Sequence, residues 1–229
     1  MDQMLQTLKA TLPQLDDQIA LKLCQFGEAM VRQNEVMNLT AITEPAAVAK
    51  LHLQDSLSVL EAADLNGKTL IDVGCGAGFP GVPIAIANQN CRVTLLDSLG
   101  KRMAWLEQIL PSLGIRASCV TARAEEYALA HREQFDYATS RAVARLNILL
   151  ELTAPFVKVG GAVLAMKGAA AREELEEAKA AVSKLGLKVE KIMDFPIDGA
   201  DHSVIVLRKI RPTPPQYPRR FAKIKQNPL

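Results

Sequence analysis

The chain has four cysteines, Cys24, Cys75, Cys91 and Cys119, and no two of them stand within a few residues of each other. This excludes a CxxC redox pair and the closely spaced ligands of a zinc site, and leaves four reduced thiols in core or loops. No apolar run is long enough to cross a bilayer. The opening Met1-Asp2-Gln3 lacks the basic and apolar regions of a signal peptide, so a cytoplasmic protein without membrane or metal partners is expected. Internal repeats and low-complexity tracts are missing too. Acidic residues are absent from Arg208 to Leu229, where Arg208, Lys209, Arg211, Arg219, Arg220, Lys223 and Lys225 all occur. On a body whose net charge is only +2, this basic end is an asymmetry that fits a polyanionic partner.

What is present divides in two. Leu15, Ile19, Leu23, Phe26 and Met30 recur at three- and four-residue spacings and predict a helix over 14–33. Asn34 to Thr40 interrupts it. Thr43 is the expected N-cap of a second helix, with Pro45 just inside, running to about residue 63. From Lys68 the pattern alternates. Strands are predicted at 68–73, 91–96, 117–121, 135–139, 161–167, about 187–193 and 203–209. Helices are predicted at about 80–88, 99–112, 123–131, 144–158 and 169–185, the last closed by Gly186. Such alternation implies an α/β fold with a seven-stranded, mostly parallel, doubly wound sheet. The expected organisation is a helical extension over 1–65, a core over 66–210 and a basic arm over 211–229. The prolines of Arg211–Arg220 make that arm extended.

The chain is organised around Thr69–Gly81, where the strand Leu70-Ile71-Asp72-Val73 runs into Gly74, Gly76 and Gly78 and then a helix. Glycines at such a turn let a ligand lie against bare backbone at the carboxyl end of a strand. The stretch is no phosphate P-loop, because Phe79-Pro80-Gly81 stands where Gly-Lys-Ser/Thr is needed. Gly76, Gly78 and Gly81 do satisfy G-x-G-x-x-G, so spacing alone leaves a nicotinamide dinucleotide open. The form D-x-G-x-G-x-G suits a ligand with a nucleoside and an amino-acid carboxylate but no pyrophosphate.

Asp97 ends the second strand, 23 positions after Gly74, where an acid accepts hydrogen bonds from both ribose hydroxyls. It is also a plausible N-cap for the next helix, and the two roles are compatible. Ala124 and Glu125 follow the third strand, beside the expected adenine; the plainer reading is an acid in a helix's first turn. Ser140-Arg141-Ala142 leaves the fourth strand at the central cleft. Arg141, a permanent cation with five donors, suits a cofactor carboxylate or an RNA phosphate. Lys167 also stands at a strand end. No Pro-Pro-Tyr tetrapeptide follows the fourth strand, and no cysteine near it offers a nucleophile. His52 and Asp55 share a helical face, either as an acid–base pair or as structural groups, and Asn38 lies in the turn-like element before that helix. The basic arm offers Arg219, Arg220, Lys223 and Lys225 to phosphates, or is simply solvated.

Taken together, Asn38–Thr43, His52–Leu57, Leu70–Pro83, Leu95–Arg102, Ser140–Ala142, Met166–Gly168 and Tyr217–Arg220 resemble the glucose-inhibited division protein B family, the bacterial ribosomal RNA small-subunit methyltransferase G enzymes. The resemblance implies a class I Rossmann-like fold preceded by helices, with S-adenosylmethionine as cofactor. It implies methylation of N7 of one guanine in the 16S rRNA decoding region, on the rRNA or the small ribosomal subunit; a monomer is expected. By position it carries cofactor contacts onto Gly74, Phe79, Ala124, Glu125 and Arg141. Two other readings stand beside it: a nicotinamide-dependent oxidoreductase, and a non-catalytic RNA-binding protein of ribosome assembly.

Overall fold

The computed structural model describes residues 1–229. Helix α1 (Asp2–Thr11) precedes the first expected helix; it buries only Met4 and Leu8, a pair too sparse to form a readable stripe. Helix α2 (Asp17–Met37) begins where the Asp16 carboxylate accepts the Gln18 and Ile19 N–H groups. It runs into the expected break and ends at Asn38, whose φ of 51° is left-handed, a conformation asparagine tolerates. At the next helix the cap is Glu44 rather than Thr43. Its two carboxylate oxygens take the Ala46 and Ala47 N–H groups at 3.1 and 2.7 Å. Helix α3 (Pro45–Val48) then widens into a π-helical turn, Ala49–Gln54, before α4 (Asp55–Ala62). Such turns are frequent at functional sites.

The alternating part comprises β1 (Thr69–Val73), α5 (Gly81–Ala87), β2 (Arg92–Asp97), α6 (Gly100–Ser112), β3 (Ser118–Thr121), α7 (Ala124–Ala130), β4 (Phe135–Arg141) and α8 (Leu146–Thr153). It continues with β5 (Val157–Lys167), α9 (Ala171–Glu177), α10 (Lys179–Lys184), β6 (Leu187–Ile197), β7 (Ala200–Lys209) and α11 (Phe221–Gln226). All seven strands form one sheet in the order β3-β2-β1-β4-β5-β7-β6, with β7 antiparallel to both neighbours. The strand order reverses between β1 and β4, which places the ligand crevice above their carboxyl ends.

Four further segments differ from expectation. The helix predicted to run to 158 stops at Thr153, because a 3-10 turn containing Pro155 leads directly into β5, which starts four residues early. Inside β5 the Asp136 carbonyl oxygen lies 2.2 Å from where a Gly161 Cβ would stand, so only glycine fits there. The 169–185 helix is broken at Ala178 into two. Strands β6 and β7 extend until only Asp198-Gly199 separates them, with φ of 53° and 76°. Two left-handed residues in succession make the tight turn whose twist matches the strands. Finally, the arm is not extended throughout: it ends in α11, and Ile224 there is fully buried.

The helical beginning forms a layer of the molecule. Leu8, Phe26, Met30 and Leu53 share one apolar cluster with Leu70, Leu95, Leu164 and Val206 of the sheet. The other face is covered by α8, α10 and α11, whose Leu149, Ala181 and Ile224 pack with Ile71, Val163 and Leu207.

Candidate active site

At the glycine turn, Gly74, Gly76 and Gly78 have φ of 73°, 56° and 96°. These left-handed angles are open to glycine without strain. A Cβ on Gly74 would stand 2.4 Å from Val143 Cγ2. Asp72 is fully buried below the turn. Its Oδ2 accepts the Gly81 N–H at 2.7 Å, its Oδ1 has no partner, and burial pushes its carboxyl up to about 7. Asp97 braces the turn from β2: Oδ2 accepts the Gly76 N–H and Oδ1 the Leu99 N–H, both at 2.9 Å. Each of those oxygens keeps a second lone pair.

A cleft of about 480 Å³ opens along this edge, lined by Gly74, Asp97, Leu99, Arg102, Ala122–Glu125, Val143, Leu152 and Phe221 among others. Ala124 and Glu125 begin α7, and their N–H groups have no intrahelical acceptor. Gly74, Asp97, Ala124 and Glu125 therefore meet in one cleft. Gly76 and Gly78 shape the turn beneath it; a Cβ on Gly78 would press on Val82, Leu106 and Phe26. Phe79 does not line the cleft. Its ring is buried, stacked on His52 at 4.8 Å, with the Arg141 guanidinium 5.2 Å from its centre. The cleft lining contributed by Leu99, Val143, Leu152 and Phe221 carried no sequence signal, because apolar walls look like core.

A second pocket, of about 640 Å³, lies on the other side of Ala142 and Val143, which line both. Its polar groups are His52, Asp55, Arg141, Lys167, Glu174 and His202. Arg141 was expected as a free cation, but Nη1 is held by Asp55 Oδ2 at 2.8 Å and the Leu51 carbonyl at 2.9 Å. Its Nη2 lies 3.2 Å from His52 Nδ1. The same Nδ1 lies 3.2 Å from the Leu51 carbonyl, and Nε2 lies 2.9 Å from Thr40 Oγ1. Burial, and then the Arg141 charge, lower His52 to about 4. It is a neutral spacer, not half of an acid–base pair with Asp55, whose partners are Arg141 and His202. The π-helical turn is what turns Leu51 and His52 to this wall.

Lys167 is not free either. Its Nζ donates to the Ala144 carbonyl at 2.6 Å and pairs with Glu174 at 2.7 Å, which pins the 142–146 loop between the two cavities. Asn38 serves as a helix end and does not line the pocket. Arg219 is taken up by the fully buried Glu151, which accepts from its backbone N–H, Nε and Nη2. Arg220, Lys223 and Lys225 remain exposed. His202 was missed; the overlooked signal was Asp198-Gly199, the tight turn that sets the register of β7 and delivers His202 to the pocket. No three His, Cys, Asp or Glu side chains are grouped as metal ligands.

A sheet of this order with a glycine turn, a β2 acid and a cleft at the switch point defines a Rossmann-like, S-adenosylmethionine-dependent methyltransferase. Solved structures agree on the fold: M. jannaschii TYW2 in complex with AdoMet has a TM-score of 0.57 at 16% identity, over 69% of this chain and 76% of that one. P. horikoshii TYW2 in complex with MeSAdo has a TM-score of 0.55 at 17% identity, over 69% of this chain and 62% of that one. More narrowly, the family model described as rRNA small subunit methyltransferase G matches residues 19–202. A ribosomal RNA small subunit methyltransferase G from Alkaliphilus metalliredigens is 42% identical over 94% of this chain and 92% of its own length. One from Acetivibrio thermocellus is 42% identical over 94% and 90%. The chain belongs to the rRNA small subunit methyltransferase G family, and the nicotinamide and non-catalytic readings fall with that result.

Proposed function

We propose that the protein transfers a methyl group from S-adenosylmethionine to N7 of a single guanine in the decoding region of bacterial 16S rRNA, acting in the cytoplasm as a monomer on the rRNA or the small subunit. The observation that carries this is the meeting of two cavities at Ala142–Val143, over the bare Gly74 backbone. One fits a nucleoside-bearing cofactor: the spare lone pairs of Asp97 suit a ribose diol, and the Ala124 and Glu125 N–H groups suit adenine nitrogens. The other, at about 640 Å³, has the volume of a ligand pocket and takes the base. When bound, S-adenosylmethionine supplies a methyl already activated on a sulfonium.

Guanine N7 has a lone pair and no proton, so no side chain has to remove one. What the chain supplies is alignment and a charge environment. Lys167 and Glu174 hold the loop that separates donor from acceptor. The buried Asp55 and half-buried Glu174 carboxylates face the pocket in which the purine becomes cationic. Arg220, Lys223 and Lys225 attract phosphates near the cleft. The test is mass mapping of 16S rRNA from cells with and without the protein. Loss of one methyl at one guanine is expected, and an unchanged methylation map refutes the proposal.

A further inference from the structure

The acceptor pocket contains two hydrogen-bond acceptors that the fold leaves unused. His202 stands near the start of β7, and its Nδ1 lies 2.9 Å from Asp55 Oδ1. A carboxylate only accepts, so the proton is on Nδ1. Asp55 cannot turn away, because Arg141 holds its other oxygen and its side chain is only 4% exposed. In the neutral imidazole this fixes the tautomer and makes Nε2 the acceptor, as it does when a carboxylate orients a histidine. His202 Nε2 has no partner in the protein and is not sealed from solvent. Glu174 lines the same pocket. Its Oε2 pairs with the Lys167 ammonium and accepts the Leu146 N–H, and its Oε1 accepts from nothing.

Spare acceptors in one pocket call for a ligand edge made of donors. Among RNA bases, guanine presents two adjacent donor groups, N1–H and the N2 amino group, whereas adenine N1 is itself an acceptor. That donor edge lies across the purine from N7. A base held by it leaves N7 free to face the cofactor cleft. We propose that His202 Nε2, oriented by Asp55, and Glu174 Oε1 accept the N1–H and N2–H edge of the target guanine, making His202 a specificity-determining residue. The proposal rests on reading this pocket as the acceptor site of the N7 reaction.

The experiment uses the full chain, small ribosomal subunits from cells lacking the enzyme, and single-turnover methyl transfer, with S-adenosylmethionine binding measured separately by calorimetry. His202→Leu lowers transfer about tenfold or more, as loss of a buried base contact implies, while cofactor affinity stays within twofold. His202→Gln, whose amide oxygen is an acceptor of similar reach, restores most of the rate. Independently of any variant, the wild type transfers at least tenfold more slowly to subunits reconstituted with inosine, which lacks the N2 amino group, at the target position. Wild-type transfer by His202→Leu, or equal wild-type rates on guanosine and inosine, overturns the proposal. Absence of transfer by the wild type to any guanine overturns the underlying N7 reading, and this inference with it.

Discussion

Arg141 carries the charge balance of the pocket between His52 and His202. Its guanidinium holds Asp55, the Leu51 carbonyl and His52 at once. Truncating it strands a buried carboxylate, a change that costs about 3–5 kcal/mol. Arg141→Ala is therefore expected to lose stability as well as activity. Arg141→Lys keeps the charge but not the planar fork, and should fall between. Denaturant titrations check this, and an alanine variant within about 1 kcal/mol of the wild type contradicts it. His52 gives a pH signature. The unfolded chain protonates it near 6.5, the folded protein only near 4. The unfolded state thus binds the extra proton, and stability is lost as pH falls through that window. His52→Gln has no such titration, so its stability should be flatter from pH 6.5 to 4, by up to about 3 kcal/mol. Parallel slopes for the two proteins would show that His52 is not the group responsible.

Among the elements, the C-terminal segment departs most from a loose basic arm. Arg132 donates to the Thr213 and Tyr217 carbonyls, Glu151 takes Arg219, and Ile224 is buried against α8. Lys209 anchors its start: its ammonium is buried beside the Ala154 carbonyl and Thr213 Oγ1, and burial lowers it to about 8. Phe221 is thereby placed on the wall of the cleft beside Gly74 and Asp97. Deleting residues 217–229 should lower both the melting temperature and S-adenosylmethionine affinity. Changing Arg220, Lys223 and Lys225 to Gln should spare both and reduce the logarithmic salt slope of RNA binding by about 2, at about 0.7 per phosphate contact. An unaltered salt slope in the triple variant would remove these residues from the RNA interface.

For the whole molecule, the first 65 residues share one layer of a three-layer structure with α5 and α6. Phe26, Met30 and Leu53 are fully buried against the sheet, and His52 and Asp55 complete the pocket from the same layer. A fragment beginning at residue 66 uncovers part of that sheet face and lacks Ile42, Leu51, His52 and Asp55 of the pocket wall. It should fail to give a cooperative melting transition, and a fragment that melts cooperatively and binds S-adenosylmethionine like the full chain would contradict this.

The alternation of strands and helices, the glycine turn and Asp97 were legible in the sequence because each is set by local chemistry: side-chain period, backbone freedom, an acid at a strand end. The Ala124–Glu125 edge of the cleft followed from the order of strands. The tertiary structure alone decided the rest. It showed that Arg141, Lys167 and Arg219 are spent on Asp55, Glu174 and Glu151, partners 86, 7 and 68 positions away. It brought His202 to Asp55 across 147 positions. A charged side chain looks the same in a sequence whether it meets a ligand or a buried carboxylate. Which it meets depends on long-range packing, and here packing turned the expected cation sites into the frame that holds a pocket of acceptors.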